Sequence, residues 1–206
     1  MNKQELYAFL DAKQIAYFKV EHQPVYTVEE AEALHLPHPE AGAKNLFLRD
    51  DKKRNYYLFT VRDALPVNLK TLHEKIGSRR LSFASEEDLM RSMKLIKGAV
   101  TPFGVLNDET CSVQVYMDEY FRGKMISVHP NENNATVYLE ADALMEILRE
   151  HGNAASYIDL EEKKRIPDNL CMQILRDFLC VFTSFFVHKY VCLYVTVLCV
   201  YKFILL

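Results

Sequence analysis

Asn45-Leu46-Phe47-Leu48, then Asp50-Asp51-Lys52-Lys53-Arg54, then Asn55-Tyr56-Tyr57-Leu58-Phe59-Thr60-Val61 is the stretch whose reading decides the fold. Two runs rich in aromatic and branched apolar residues flank five consecutive charged ones. The polarity and length of the middle segment suit a hairpin connection, so residues 45–48 and 55–61 are expected to pair as neighbouring strands. A sheet therefore forms early in the chain, and the rest must cover it.

Toward the N-terminus, Leu6, Phe9 and Leu10 recur at helical spacing and residues 16–20 read as a strand. Thr27-Val28-Glu29-Glu30 has the form of a capping box, in which the threonine oxygen and the glutamate each satisfy a free backbone amide, so a short helix is expected through Leu34. Pro37-His38-Pro39 ends it. Toward the C-terminus, Leu69, Leu72 and Ile76 lie on one side of a helix expected over 68–76 with Gly77 as its stop. A second helix over 85–93 is capped by Ser85 and Asp88, with Leu81 and Phe83 alternating like a strand between the two. Residues 113–117, 124–128 and 136–139 give three further strands, 141–151 an amphipathic helix closed by Gly152, and 157–160 a last strand. Helices and strands interleave, but the short late connections favour antiparallel pairing. The expected class is α+β, with a mixed, mainly antiparallel sheet and flanking helices.

With 206 residues, half of them hydrophobic, the chain can bury one full core, and one domain plus a tail is expected. The net charge is −3 with both signs mixed along the chain, which excludes a broad face for DNA or other long nucleic acid. Cys111 is alone in the first 160 residues, while Cys171, Cys180, Cys192 and Cys199 all follow, and none forms a Cys-x-x-Cys pair. That spacing supports neither a zinc site nor a redox dithiol, and Cys111 is expected as a buried, inert residue. The start, Met1-Asn2-Lys3-Gln4-Glu5, lacks the apolar stretch of a secretory signal, so the expected compartment is cytoplasmic.

Three places look chemically prepared. Gly98-Ala99-Val100-Thr101-Pro102-Phe103-Gly104 is an apolar loop stiffened by two glycines and a proline, where a substrate backbone can approach closely. Lys44-Asn45 opens the first strand of the hairpin, from where an ammonium can hold a phosphate as a point charge. His129-Pro130-Asn131 follows the strand at 124–128, a position equally suited to a structural histidine bonded to backbone. His35 and His38 are three apart, but Pro37 denies them a common helix face, so no metal is expected. Arg79-Arg80 and Lys52-Lys53-Arg54 read as solvated charges that can also touch phosphates. No Ser-His-Asp or Cys-His arrangement occurs among these motifs, so a covalent acyl-enzyme is not indicated. Together they suggest a small, metal-free site for an ester or carbonyl.

Val25-Tyr26-Thr27-Val28-Glu29-Glu30-Ala31, Ala43-Lys44-Asn45-Leu46-Phe47-Leu48, Arg79-Arg80-Leu81-Ser82-Phe83, the 98–104 loop and Val128-His129-Pro130-Asn131, in this order, resemble the YbaK and prolyl-tRNA-synthetase-associated editing domain family, and most of all its free-standing branch. The resemblance covers residues 1 to about 160. It implies hydrolysis of the ester in mischarged alanyl-tRNA(Pro), without a cofactor. Such editing has a physical origin, since a synthetase pocket built for proline separates it from a smaller amino acid by only about 1–3 kcal/mol per methylene. By motif, the resemblance implies that Lys44 anchors the phosphate-sugar end of the acceptor and that Gly98, Thr101, Pro102 and Gly104 form the loop that meets the ester carbonyl. Thr27, Asn45, Arg79, Val100 and His129 would bind substrate, with His129 helping to set pocket size. The substrate's terminal 2′-hydroxyl would help place the water. Cysteinyl-tRNA(Pro) deacylation and a non-catalytic aminoacyl-tRNA or amino-acid binding module are the alternatives.

Over residues 1–160, 19 Lys and Arg stand against 24 Asp and Glu, a net −5, so few phosphates are gripped and a shallow salt dependence is expected. The acceptor end of aminoacyl-tRNA(Pro) is the expected partner, with prolyl-tRNA synthetase or an elongation factor as an aid to tRNA selection. After Leu160 the chain departs from the family. Glu161-Glu162-Lys163-Lys164-Arg165 forms a charged boundary, and the 29 residues 178–206 are almost wholly apolar. As a membrane anchor this tail is long enough, but Lys189 within it costs about 2.5–3.5 kcal/mol. An element packed on the domain, and sequence outside the native fold, are the other readings, and the last is preferred.

Overall fold

The computed structural model describes residues 1–24 and 34–161. The helix expected from Thr27 and the apolar tail lie outside the described residues. Residues 1–160 form one compact unit.

The hairpin forms as expected. Strand β2 (Ala43–Asp50) pairs antiparallel with β3 (Tyr56–Arg62), with Asn45 opposite Thr60 and Lys44 opposite Val61. Asp50 closes the connection by accepting the amides of Lys52 and Arg54 and the Asn55 side chain. Strand β3 is buried on both faces. Leu58 points into a main core with Val113 and Val115, while Tyr57, Phe59 and Val61 join Leu48, Leu72 and Leu81 in a second, smaller one. That double burial is why the run 56–61 is apolar at nearly every position rather than alternating.

Two sheets build the unit. The five-stranded sheet runs β4 (Leu81–Phe83), β2, β3, β5 (Val113–Asp118), β8 (Ala155–Ile158). The three-stranded sheet runs β1 (Tyr17–Glu21), β7 (Ala135–Glu140), β6 (Met125–Val128) and is antiparallel throughout. A parallel bridge between Gly42 and Ser127 joins them, and the Ser127 hydroxyl donates to the Ala41 carbonyl. The α+β, mixed-sheet expectation is met, with one refinement. Strand β5 does not pair with β6; it lies parallel to β3 and to β8 instead. Glu119–Phe121 forms a 3-10 turn that sends the chain into the other sheet, which short connection length alone does not reveal.

Helix α1 (Lys3–Ala12) buries Leu6, Tyr7 and Leu10 and starts on an Asn2–Glu5 capping box. Helix α2 (Leu69–Ile76) is capped by Asn68 and stops at left-handed Gly77, α3 (Glu86–Met93) starts on the Ser85–Asp88 box, and α4 (Ala141–His151) stops at Gly152. These boundaries follow the sequence signals because cap chemistry is local. The last strand lies two residues earlier than expected. Arg49, Ser85, Arg91 and the Tyr56 hydroxyl converge on the buried Asp88 carboxylate and hold it far below the usual carboxylate range, so it is charged at all ordinary pH.

Candidate functional site

The site forms where the two sheets meet. Gly42 lies between Ser127 of β6 and Asp63 at the end of β3, and its carbonyl accepts the Asp63 amide. Two residues on, the Lys44 ammonium donates to the backbone carbonyls of Asp63 and Leu65. The ammonium is thus held at the β2 start and, among the described residues, takes backbone carbonyls rather than a carboxylate, a suitable state for meeting a phosphate or sugar oxygen.

Asn45 is fixed from both sides. The Thr60 hydroxyl, directly across the hairpin, donates to Asn45 Oδ1 at 2.8 Å, and Asn45 Nδ2 donates to the Val100 carbonyl at 3.1 Å. These bonds assign the amide's orientation and tie the 98–104 segment to β2. The same segment is tied to β6 by the buried Thr101 hydroxyl, which donates to the His129 carbonyl at 2.6 Å. His129 lies 3.1 Å through Nδ1 from the Ala135 carbonyl. A carbonyl only accepts, so Nδ1 carries the proton and Nε2 presents a lone pair. Burial holds the imidazole below the ordinary histidine value and His22 adds to the effect, while the Ala135 bond and Asp63 oppose it. At neutral pH it is an uncharged acceptor. Lys44, Asn45, Val100, Thr101 and His129, scattered over 86 positions of sequence, are therefore linked by a continuous series of backbone and side-chain bonds.

The model of the aminoacyl-tRNA editing domain matches residues 22–147, more than half the chain and all of this site. The chain belongs to that family. Its chemistry is that of an aminoacyl-tRNA deacylase. The prolyl-tRNA editing protein ProX of Acetoanaerobium sticklandii is 48% identical over 159 residues, spanning 77% of this chain and 97% of that protein. Prolyl-tRNA synthetase associated domain-containing protein 1 of Xenopus laevis is 33% identical over 160 residues, spanning 73% and 92%. A crystal structure described as a candidate trans-editing enzyme for prolyl tRNA synthetase shares the fold, with a TM-score of 0.60 at 20% identity over 78% of this chain and 96% of that one.

Other residues singled out in this editing domain are placed differently. Arg79 makes a two-bond contact with Asp51, in the hairpin turn. Seven residues of extended strand separate that turn from Lys44, about 23 Å, so Arg79 is not brought to the site. Thr27 lies outside the described residues. Gly98 is exposed with a left-handed φ of +88, while Pro102 and Gly104 are buried and open a 3-10 helix (Pro102–Asn107). The Gly104 amide donates to the Thr101 carbonyl, and a Cβ there would meet Leu95 Cδ1 at 2.4 Å. Its lack of a side chain serves packing against Leu95 and Met93.

Cys111 corrects an expectation: it is only partly buried and takes a left-handed φ of +49. Its thiol donates to the His151 carbonyl and lies 3.7 Å from His151 Nδ1, but that nitrogen is engaged by Asn153 Oδ1 at 2.7 Å. The imidazole therefore offers the sulfur no basic lone pair there. Among the described residues no group of three or more His, Cys, Asp or Glu side chains is arranged to hold a metal ion, and no helix is long and apolar enough to cross a membrane. Thr60 and Asp63 are the residues that sequence reading missed. Both follow from the hairpin register, which puts Thr60 across from Asn45 and Asp63 beside Gly42.

Proposed function

We propose that residues 1–160 are a trans-editing domain that hydrolyses the ester of alanyl-tRNA(Pro), and that residues 166–206 are dispensable for that reaction. What carries the reading is the single bonded assembly of Lys44, Asn45, Val100, Thr101 and His129 in a chain of the editing family. Lys44 holds the terminal phosphate-sugar region, and the second hydrogen of Asn45 Nδ2 is available to the acyl group. The neutral His129 borders the amino-acid side chain and limits its size. A water oxygen adds to the ester carbonyl and the bond to the ribose oxygen breaks. The products are the free amino acid and the terminal hydroxyl of the tRNA, and the proton leaves to solvent.

Negative charge gathers on the carbonyl oxygen during attack, and fixed donors stabilise it by roughly 3–4 kcal/mol each in other acyl-transfer sites. Pro102 has no amide, and those of Ala99 and Gly104 already donate to Ile96 and Thr101. The contact from this loop therefore falls to Gly98, Val100, Thr101 or Phe103. With no activated side-chain nucleophile in the assembly, the substrate's 2′-hydroxyl helps to place the water, and the protein supplies geometry. The site admits a methyl side chain and refuses a pyrrolidine ring. The acceptor end is the only part of the tRNA gripped, so prolyl-tRNA synthetase or an elongation factor supplies tRNA selection.

The test charges tRNA(Pro) with alanine, cysteine or proline and follows ester loss with the full chain, with Lys44→Ala, and with a terminal 2′-deoxyadenosine. Alanine is expected to be removed fastest, proline spared, and both changes to abolish most of the rate. Preference for cysteine makes this a cysteinyl-tRNA deacylase, ester binding without hydrolysis makes it a regulatory module, and a normal rate on the deoxy substrate refutes the 2′-hydroxyl step. Removal of residues 166–206 should leave the rate intact.

A further inference from the structure

One carboxylate beside the assembly has no role in the water attack itself. The Lys44 ammonium takes the backbone carbonyls of Asp63 and Leu65 rather than the Asp63 carboxylate. The carboxyl instead packs against the backbone where β2 begins: a Cβ on Gly42 would lie 2.5 Å from Asp63 Oδ2. Asp63 remains accessible to solvent, yet enough protein surrounds it that burial pushes its carboxyl up, against the opposing pull of Lys44 and His129. Asp63 thus shares its surroundings with two members of the proposed site, and its carboxylate stands near a cation without being taken up by it.

We propose that the Asp63 carboxylate receives the α-ammonium of the aminoacyl ester, so that the site reads a free α-amino group as well as a small side chain. The inference rests on the deacylase reading above. An aminoacyl ester carries its ammonium on the carbon next to the reacting carbonyl. A charge-assisted contact there fixes the carbonyl relative to Lys44 and the 98–104 segment. The same contact rejects esters whose nitrogen is acylated, such as a growing peptide on tRNA, because an amide brings no charge and leaves the carboxylate desolvated without a partner. Asp63 is in this role a substrate-binding residue and takes no proton from the attacking water.

The experiment compares alanyl-tRNA(Pro) with lactyl-tRNA(Pro), in which a hydroxyl replaces the ammonium at almost equal size, each corrected for spontaneous hydrolysis. The wild-type chain should favour the alanyl ester by roughly tenfold or more in kcat/KM. Asp63→Asn should lower kcat/KM for the alanyl ester by a similar factor and change the lactyl rate by less than about threefold, the retained lactyl activity showing that the variant is folded. Equal losses on both esters would overturn the inference, since that is the signature of a group acting on water or on Lys44. No change on either ester would overturn it as well. Wild-type inactivity on both esters would instead sink the deacylase reading itself.

Discussion

Thr60 never touches substrate in the proposed arrangement, so replacing it tests whether the hairpin register positions Asn45. Thr60→Val removes the hydroxyl that donates to Asn45 Oδ1 at 2.8 Å, at a residue fully buried in a central strand where valine is well tolerated. A buried acceptor left without its donor costs about 1–3 kcal/mol. Asn45 is only half-buried, so water can partly replace the lost bond and the lower end, about 1–1.5 kcal/mol, applies. For a domain of this size that is a fall of about 2–6 °C in Tm. Among the described residues, the bond to the Val100 carbonyl then alone holds the amide, which can rotate about it. About 1 kcal/mol of lost positioning is roughly a fivefold loss in kcat/KM for alanyl-tRNA(Pro). Thermal unfolding and single-turnover deacylation would measure the two effects, and Thr60→Ser, which keeps the hydroxyl, should recover most of the activity. A variant that melts lower yet edits at the wild-type rate would refute the reasoning, because Asn45 would then not need its cross-strand tether.

Gly104→Ala should destabilise by about 1–3 kcal/mol, since Leu95 is buried and must leave its rotamer to clear a Cβ 2.4 Å away; an unchanged urea midpoint would contradict the packing role. His129, held below its ordinary value of 6.5 mainly by burial, binds fewer protons folded than unfolded as pH falls through 6.5. It therefore withdraws stability as the solution is acidified below that value. His129→Gln keeps a donor for the Ala135 carbonyl and does not titrate, so its urea midpoint should fall less between pH 7 and pH 5.5 than the wild type's; parallel curves would show that His129 contributes nothing to the pH dependence.

Much of the fold was legible because the signals are local. The Asn68, Ser85–Asp88, Gly77 and Gly152 caps act within one helical turn, and the three corresponding helices start or stop where those residues place them. Strand β5 shows the limit: its own residues announce a strand, but its parallel partners β3 and β8 lie dozens of residues away, and nothing in 113–118 names them. The same limit governed the site. Lys44, Asn45 and His129 stand out as polar residues at the ends of apolar runs, whereas Thr60 sits inside an apolar run and Asp63 lies in no motif. Arg79, drawn from a motif, is claimed by Asp51 across the turn instead.

The sequence alone determined which segments are helices and strands, where the helices stop, and that the chain belongs among editing domains. Those properties depend on periodicity, caps and ordered motifs that each lie within a few residues. Only the tertiary structure decided that Gly104 packs a core while Gly98 faces outward, that Asn45 is clamped between Thr60 and Val100, and that the Asp63 carboxyl lies within reach of the Lys44 charge. Those facts depend on strand register and on the junction of two sheets at Gly42 and Ser127. A one-residue slip would exchange the faces of β2 and β3 and dissolve the site without altering a single motif.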